Sequence, residues 1–306
     1  MTDPSLSVQV APGLSLVNPV IAASGTWGYG DETGDIVDFK KLGAIICKGT
    51  TLKPRDGNPQ PRIIEVTAGI LNSVGLENIG VEALISKKAP AWAKWSVPVI
   101  VNIAGDTVDE YGKMAAKLEC VAGISGIEVN ISCPNVRKGG MQFGMDPLSA
   151  AEVTSAVRAS TSLPVIVKLS PNVTDIAAIA VAVESAGADA VSLINTVGGM
   201  SIDIQRRKPR LGNITGGLSG PAIKPVALAM VWKVAGCLRI PVIGCGGIMT
   251  AEDALEFIMA GATAVEVGTA NLVNPRTALD IIDGLRQFMQ AEGIRNITDL
   301  RGIARL

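Results

Sequence analysis

Eight short apolar runs recur along the chain, and segments with helix-like spacing of apolar residues lie between them. The runs are rich in β-branched residues and bounded by Pro or polar residues, which is typical of parallel strands buried on both faces. The runs are VIAASG (20–25), AIICKGT (44–50), PVIVNIAG (98–105), GIEVNIS (126–132), PVIVKLS (164–170), AVSLINT (190–196), PVIGCGG (241–247) and AVEVGT (264–269). Eight repeats with right-handed crossovers favour an α/β fold closed as a (β/α)8 TIM barrel. An open doubly wound sheet is the alternative, because periodicity alone does not establish closure.

The helical segments between these runs support the same fold. Several begin with Asp, Thr or Ser at the position of a helix N-cap. The predicted helical segments are 106–122, 148–160, 174–187, 222–236, 251–260 and 277–290. A length of 306 residues suits one barrel, so a single domain over residues 1–306 is predicted.

The connections of the predicted barrel differ in length. Before the first run, LSVQV and LSLVN flank Ala-Pro-Gly, which predicts a β-hairpin at the amino-terminal end of the barrel. Long connections follow the second, fourth and sixth runs, over residues 51–80, 133–147 and 197–221. Such loops lie at the carboxyl ends of barrel strands, where active sites are built.

Composition excludes several classes of function. Charged residues make up 18% of the chain and the net charge is −1, so no long-range field directs it to nucleic acid or to an anionic membrane. No apolar run is long enough to span a bilayer. The amino terminus, MTDPSLSVQV, lacks the basic segment and apolar core of a secretory signal. We therefore expect a cytoplasmic protein.

The chain has no histidine, which removes the usual general base, the usual metal ligand and every Ser-His or Cys-His pair. Five cysteines without paired spacing predict neither a disulfide framework nor a metal site. Cys47, Cys120, Cys237 and Cys245 are expected to be small buried residues. Cys133 differs, because it begins a loop containing Pro and Asn beyond a strand end.

Nearly every run ends in a polar side chain or a glycine. A barrel does not need such residues for packing, so their convergence predicts a site of hydrogen-bond donors and acceptors with two lysines. For any single Asn, a local loop-start role is an equal alternative. The residues are Ser24, Lys48, Asn102, Asn130, Cys133, Lys168, Asn195, Thr196, Gly246, Gly247, Gly268 and Thr269.

Two chemistries fit these strand ends. Glycines after the seventh and eighth strands suit a phosphate held by backbone N–H groups. A desolvated Lys48 or Lys168 could instead form a Schiff base, as in a barrel lyase. The Schiff-base hypothesis gives the asparagines and Cys133 no role. A flavin ring, in contrast, needs neutral amide partners and a nearby positive charge.

The segment Asn130-Ile-Ser-Cys-Pro-Asn135, with the loop 136–144 after it, is the most specific motif in the chain. Here the chain resembles the dihydroorotate dehydrogenases, and among them the class 1B catalytic subunits. The resemblance extends from Ser24 to Asn271. Further matching stretches are Cys47-Lys48-Gly49-Thr50, Asn72-Ser-Val-Gly-Leu76, Val167-Lys168-Leu-Ser170, Asn195-Thr196 and Gly246-Gly247.

The resemblance implies FMN-dependent oxidation of (S)-dihydroorotate to orotate in de novo pyrimidine (UMP) biosynthesis. The residues implied to hold FMN are Ser24, Lys48, Gly49, Asn102, Asn130, Lys168, Ile194, Gly220, Gly246, Gly247, Gly268 and Thr269. The residues implied to contact substrate are Lys48, Asn72, Ser73, Val74, Gly75, Leu76, Asn130, Asn135, Asn195 and Thr196. Cys133 is the expected general base: as thiolate it takes the C5 proton while hydride leaves C6 for the flavin.

The resemblance also implies a partner. The membrane-bound class uses serine as base and has a hydrophobic amino-terminal extension, and this chain has neither. The fumarate-using class shares the cysteine, so the class 1B assignment rests on the loop 136–144. Class 1B enzymes pass electrons to NAD through a second subunit with FAD and an iron–sulfur cluster. This chain has no clustered cysteines and no strand-GxGxxG-helix unit, so those cofactors are expected only on the partner.

A homodimer at the centre of a heterotetramer is the assembly that the resemblance implies. Three alternatives stay open from the residues alone. They are a dihydropyrimidine dehydrogenase-like flavoenzyme, a Schiff-base lyase, and an inert barrel that serves as a scaffold.

Overall fold

A closed barrel of parallel strands forms the centre of the computed structural model, which describes residues 3–30, 37–132 and 143–305. In chain order the strands are β1 (Val8–Ala11), β2 (Leu14–Leu16), β3 (Val20–Ala22), β4 (Ala44–Ile46), β5 (Ile63–Val66), β6 (Gly69–Asn72), β7 (Val99–Ile103), β8 (Gly126–Asn130), β9 (Val165–Lys168), β10 (Ala190–Leu193), β11 (Val197–Met200), β12 (Ile202–Asp203), β13 (Lys208–Pro209), β14 (Thr215–Ser219), β15 (Val242–Cys245) and β16 (Ala264–Val267). The barrel order is β10-β15-β16-β3-β4-β7-β8-β9. Each barrel strand lies within one of the eight predicted runs, so the closed barrel is confirmed and the open sheet is wrong.

Helices connect the barrel strands. They are α1 (Val81–Lys87), α2 (Ala89–Trp92), α3 (Val108–Leu118), α4 (Pro147–Arg158), α5 (Ile176–Ser185), α6 (Lys224–Ala235), α7 (Ala251–Met259), α8 (Thr269–Val273) and α9 (Thr277–Ala291). Short 3-10 helices span Phe39–Lys41, Phe143–Met145, Pro221–Ile223 and Ile297–Leu300. The six predicted helices are α3 to α7 and α9, whereas the shorter α1, α2 and α8 were not predicted.

Side-chain caps fix where several helices begin. Thr107 accepts a hydrogen bond from the backbone N–H of Glu110 at the start of α3, and Asp146 accepts from Ser149 at the start of α4. Thr250 and Asp253 form a reciprocal capping box on α7. These caps satisfy N–H groups that the first helical turn leaves without partners. The predicted Asp and Thr caps are therefore confirmed.

The hairpin β1-β2 covers the amino-terminal end of the barrel. Its strands pair with Val8 opposite Leu16, and both side chains are buried. The Cδ2 atom of Leu14 lies 3.6 Å from the Cβ position of Gly126, the first residue of β8. The predicted hairpin and its place are confirmed.

The two longest connections form a second sheet that the sequence analysis treated as loops. Strands β11, β14, β6 and β5 pair in that order, all antiparallel. Strands β11 (VGGM) and β14 (TGGLS) are rich in glycine, so their sequences lack the alternation of apolar and polar side chains that indicates a strand. Strand β5 (IIEV) is short and only partly buried. Among the described residues, no helix has both the length and the hydrophobicity to cross a membrane.

Candidate active site

A cavity of about 910 Å³ lies at the carboxyl ends of the barrel strands. Its floor is the barrel rim, and residues of the four-stranded sheet β11-β14-β6-β5 form one wall. A volume of this size is typical of sites for cofactors and small substrates. The fold therefore places one large cavity where the sequence predicted a site.

Every predicted site residue within the described ranges lines this cavity. They are Ser24, Lys48, Gly49, Asn72, Ser73, Val74, Gly75, Leu76, Asn102, Asn130, Lys168, Ile194, Asn195, Thr196, Gly220, Gly246, Gly247, Gly268 and Thr269. Cys133 and Asn135 lie outside the described residues. The structure thus brings together residues from all eight strand ends, while their individual roles stay predictions.

Amide side chains are held in place at the ends of β8 and β10. The hydroxyl of Tyr111 donates to the carbonyl oxygen of Asn130 over 2.7 Å, which anchors the end of β8. Asn195 Nδ2 donates to Asn130 Oδ1 over 3.4 Å, and Asn195 Oδ1 accepts from the backbone N–H of Thr196 at 2.8 Å. Because the amides hold one another, they present fixed donors and acceptors to a ligand.

Asn172 is a functional candidate that the sequence analysis missed. Its Nδ2 donates to the carbonyl oxygen of Thr196 at 3.0 Å, and its Oδ1 accepts from the N–H of Gly198 at 2.8 Å. It lines the cavity and joins the end of β10 to β11. The sequence signal was present, since Asn172 follows the run 164–170 by two residues.

Glycine lets the sheet wall approach the barrel rim. Gly217 on β14 pairs with Gly198 on β11, and a Cβ on Gly217 would lie 1.9 Å from Oγ1 of Thr196. The same Cβ on Gly198 would meet only Asn172 Oδ1 at 3.5 Å, an ordinary contact. Thr196 can therefore occupy its position only because residue 217 has no side chain, whereas a side chain at position 198 would not displace it.

A second group of glycines lies where β14 and β15 end. Gly220, Gly246 and Gly247 have φ values of 101°, 134° and 73°, a left-handed region that favours glycine. Beside them Thr269 Oγ1 donates to Oγ of Ser219 over 2.8 Å. These glycines line the cavity, and the absence of side chains lets a phosphate approach their backbone closely.

Below the rim, three ionisable side chains meet inside the barrel, and we name Glu128, Lys168 and Glu266 the barrel-core triad. Their exposed fractions are 0%, 5% and 1%. Lys168 Nζ forms an ion pair with Oε2 of Glu266 and lies 3.8 Å from Oε1 of Glu128. The two glutamates occupy the middle of apolar runs, a signal that the sequence analysis passed over.

The two carboxylates of the barrel-core triad determine the charge and the reactivity of Lys168. Burial by itself would lower the pKa of Lys168, but the acidic groups around it, Cys245, Glu266 and Glu128, raise that pKa above the ordinary lysine value. Lys168 is therefore a held cation and a poor amine nucleophile, which argues against a Schiff base at this position.

Lys48 has different surroundings. It is half-buried and lines both the main cavity and an adjoining polar cavity of about 460 Å³ that includes Arg55 and Arg62. Within residues 3–30, 37–132 and 143–305, no acidic side chain forms an ion pair with Lys48. The two predicted cations thus differ, since Lys168 is compensated by carboxylates and Lys48 is available to an anion.

The burial predicted for four cysteines is correct only in part. Cys47 is buried, and burial raises its pKa to about 12. Cys245 is partly buried and lines the cavity, and burial raises its pKa to about 12. Cys120 and Cys237 are exposed, so the prediction for these two is wrong. They lie in the turns after α3 and α6, where no packed layer covers them.

Comparison with known proteins gives the family. A protein-family model described as "Dihydroorotate dehydrogenase" matches residues 5–289. The "Dihydroorotate dehydrogenase B (NAD(+)), catalytic subunit" of Desulforamulus reducens is 58% identical over 302 residues, 99% of each chain. Proteins of the same name from Geotalea uraniireducens and Geotalea daltonii are 56% and 55% identical, over 99% and 100% of each chain. The chain therefore belongs to the dihydroorotate dehydrogenase family.

Proposed function

We propose that the protein oxidises (S)-dihydroorotate to orotate in pyrimidine biosynthesis, with FMN at the carboxyl end of the barrel. The observation that carries the proposal is that the residues implied for FMN and substrate line one cavity wherever they are described. Family membership supports the reaction, and the names of the relatives support its link to NAD.

The residues of the cavity fit a flavin. Asn102 Oδ1 is buried and has no hydrogen-bond partner among the described residues, so a ligand N–H donor would satisfy it. The cation of Lys168 suits the pyrimidine edge of the ring, which gains negative charge on reduction. The glycine turns at 220, 246, 247 and 268 suit its phosphate. When bound, the flavin supplies the acceptor for the hydride that leaves C6 of the substrate.

The chain itself binds and deprotonates the substrate. Lys48 pairs with the carboxylate of dihydroorotate, and the amides of Asn72, Asn130 and Asn195 pair with the imide edge of its ring. A neutral pyrimidine would leave the Lys48 cation without its partner, which gives selectivity for the acid. Cys133 takes the proton from C5 as hydride leaves C6, and the double bond of orotate forms between these carbons. Asn135, two residues after Cys133 in the sequence, completes the proposed substrate contacts.

A partner subunit completes the NAD-linked reaction. The relatives are named catalytic subunits of an NAD(+) enzyme, which implies a separate electron-transfer subunit. We propose that this subunit carries FAD and an iron–sulfur cluster, and that two copies of each chain form a cytoplasmic heterotetramer. In this proposal the chain is a single domain over residues 1–306, and its two copies form the catalytic half of the assembly.

Anaerobic reduction tests the proposal. Purified protein reconstituted with FMN is mixed with dihydroorotate without oxygen, and the visible absorbance of the flavin is followed. We expect rapid bleaching with dihydroorotate and little with dihydrouracil, which lacks the carboxylate. A protein that binds no flavin, or that dihydrouracil bleaches equally fast, contradicts the proposal. Borohydride trapping of substrate on Lys48 would favour the lyase instead.

A further inference from the structure

The barrel-core triad contains more negative than positive charge. With all three groups ionised, one buried lysine faces two buried carboxylates inside the barrel, and the net charge is −1. An uncompensated charge in a buried position is unfavourable, and proteins usually avoid it by taking up or releasing a proton.

The hydrogen bonds distinguish the two carboxylates. Both oxygens of Glu128 accept hydrogen bonds, Oε2 from Asn102 Nδ2 at 2.6 Å and Oε1 from Ser192 Oγ at 2.7 Å. Glu266 accepts at Oε2 from Lys168, while its Oε1 is buried without a partner among the described residues. Donors therefore face both oxygens of Glu128, whereas one oxygen of Glu266 faces no donor among the described residues and is the oxygen that can carry a proton.

The groups that face Glu266 favour a proton on it. Burial comes first and the charge of Glu128 second in raising the pKa of Glu266 to about 8, against the lowering effect of Lys168. From β15, Cys245 is a neutral thiol at neutral pH, because burial raises its pKa to about 12. On the other neighbouring strand, β3, Glu266 pairs in register with the apolar Ile21. Cys47, near Glu128, is also a neutral thiol.

We propose that the buried Glu266 holds a proton, and that this proton sets the midpoint potential of a flavin bound beside Lys168. The inference rests on the proposed function, since it needs the flavin to lie against Lys168. With the proton, the triad is neutral. Without it, the triad would carry −1 beside the proposed flavin site, and because a flavin bound there becomes more negative on reduction, loss of the proton would lower its midpoint potential.

Thermodynamic linkage gives the pH dependence. If the proton stabilises the reduced flavin, the reduced flavin must hold the proton more tightly. The midpoint potential of the wild-type protein therefore carries an additional pH-dependent step near the titration of Glu266. Gln at position 266 has the shape of the protonated acid and does not titrate, so the Glu266→Gln protein should lack that step.

Infrared spectroscopy of the wild-type holoenzyme tests the proton itself. At neutral pH ordinary Asp and Glu side chains are ionised, so the carbonyl stretch of a protonated carboxylic acid stands out. We expect this band at pH 6 to 7, its loss as the pH rises through about 8 to 9, and its absence from Glu266→Gln. A wild-type spectrum without the band overturns the proposal, and this measurement does not require a variant that folds.

Redox titration tests the link to the flavin. We expect Glu266→Gln to match the wild-type midpoint potential on the acid side and to exceed it on the alkaline side. Glu252→Gln, which removes an exposed carboxylate on α7, should follow the wild type throughout. An equal difference between Glu266→Gln and the wild type at every pH means that both carboxylates are ionised, and it overturns the inference.

The two arms separate this inference from the proposed function. If dihydroorotate fails to bleach the flavin, the proposed function fails, and the infrared band still reports the proton on Glu266. If bleaching is normal but the midpoint potential of Glu266→Gln equals that of the wild type from pH 6 to 10, the function stands and the effect of Glu266 on the flavin is refuted. Flavin content and far-UV circular dichroism show that each variant is folded and loaded.

Discussion

Asn102 Nδ2 donates to Oε2 of Glu128 over 2.6 Å, and this bond determines which end of the Asn102 amide faces the cavity. The donor end is engaged inside the barrel, so the carbonyl oxygen is presented at the rim, where Gly49 leaves room for it. A buried triad thereby fixes the orientation of a side chain proposed to bind the cofactor.

Replacing Asn102 with Ala should weaken flavin binding. The variant loses the buried acceptor Oδ1, and a lost hydrogen bond to a ligand is worth about 1 kcal/mol or somewhat more. We expect the Kd for FMN to rise roughly 10-fold. Fluorescence titration of the apoprotein measures it.

Asn18 provides a matched control for that variant. It is also a buried asparagine, and its amide bonds the carbonyl of Lys41 and the N–H of Val20. Asn18→Ala should lower stability without changing the Kd for FMN. Equal Kd values for Asn102→Ala and wild type would remove Asn102 from the flavin site.

Gly217→Ala should impair substrate use while the flavin stays bound. The new Cβ would lie 1.9 Å from Thr196 Oγ1 and 2.5 Å from its Cβ, so the threonine must move. Displacement of a positioning residue by about 1 Å lowers kcat/KM by up to about 100-fold. Steady-state kinetics with dihydroorotate and an artificial acceptor measure the change. Gly198→Ala, its cross-strand partner, is the control and should behave as wild type.

The barrel strands can be predicted from the sequence, whereas the four-stranded sheet β11-β14-β6-β5 cannot. The runs 98–105 and 164–170 predict strands, because parallel strands that are buried on both faces are continuously apolar. Strands β11 and β14 could not be predicted, because glycines have no side chains to alternate between apolar and polar. These glycines are Gly198, Gly199, Gly216 and Gly217. Their pairing depends on contacts between segments far apart in the chain, which local periodicity does not report.

The candidate site shows the same division. Polar residues at strand ends, such as Asn102 and Asn195, are predictable because the topology brings all strand ends to one face. Glu128 and Glu266 lie within β8 and β16, and their meeting with Lys168 depends on which residues of three separate strands face the barrel interior. The closure of the barrel determines which residues point inward. The triad could therefore be identified only from the three-dimensional structure.

Cys133→Ala should slow flavin reduction by about 10² to 10⁴ while the protein keeps its yellow colour, by the usual size of general-base effects. A free thiol titrates near pH ~8.5, so wild-type activity should rise on the alkaline side of neutral. Stopped-flow reduction without oxygen measures both effects. The exposed Cys120 and Cys237 serve as controls, and their Ala variants should reduce at the wild-type rate. A single-turnover rate near wild type for Cys133→Ala would exclude it as the base.

The isolated chain should reduce its flavin with dihydroorotate but transfer few electrons to NAD. The relatives' names point to a separate subunit for that step. Coupled assays with NAD, alone and with the co-expressed partner, measure the difference. Full NAD reduction by the single chain would contradict the need for a partner.

Glu266→Gln should become more stable relative to wild type as the pH rises. In the unfolded chain the Glu266 carboxyl has an ordinary pKa near ~4.3, whereas burial beside Glu128 raises its folded pKa to about 8. Between these values the folded protein binds a proton that the unfolded chain does not, so the wild-type free energy of unfolding falls with pH by up to about 1.4 kcal/mol per unit. Because glutamine does not titrate, the free energy of unfolding of the variant does not fall with pH in this way.

Urea unfolding from pH 5 to pH 9 measures this relative gain, which should grow up to about pH 8 and then level off. Glu119 is the matched control with the opposite sign. Hydrogen bonds from Ser162 and Thr161 lower its pKa to about 2. Its stabilisation is complete above the unfolded pKa and is lost only as the pH falls toward 2. Glu119→Gln should therefore differ from wild type by a constant amount between pH 5 and pH 9. A similarly constant difference for Glu266→Gln would mean that Glu266 is ionised in the folded barrel.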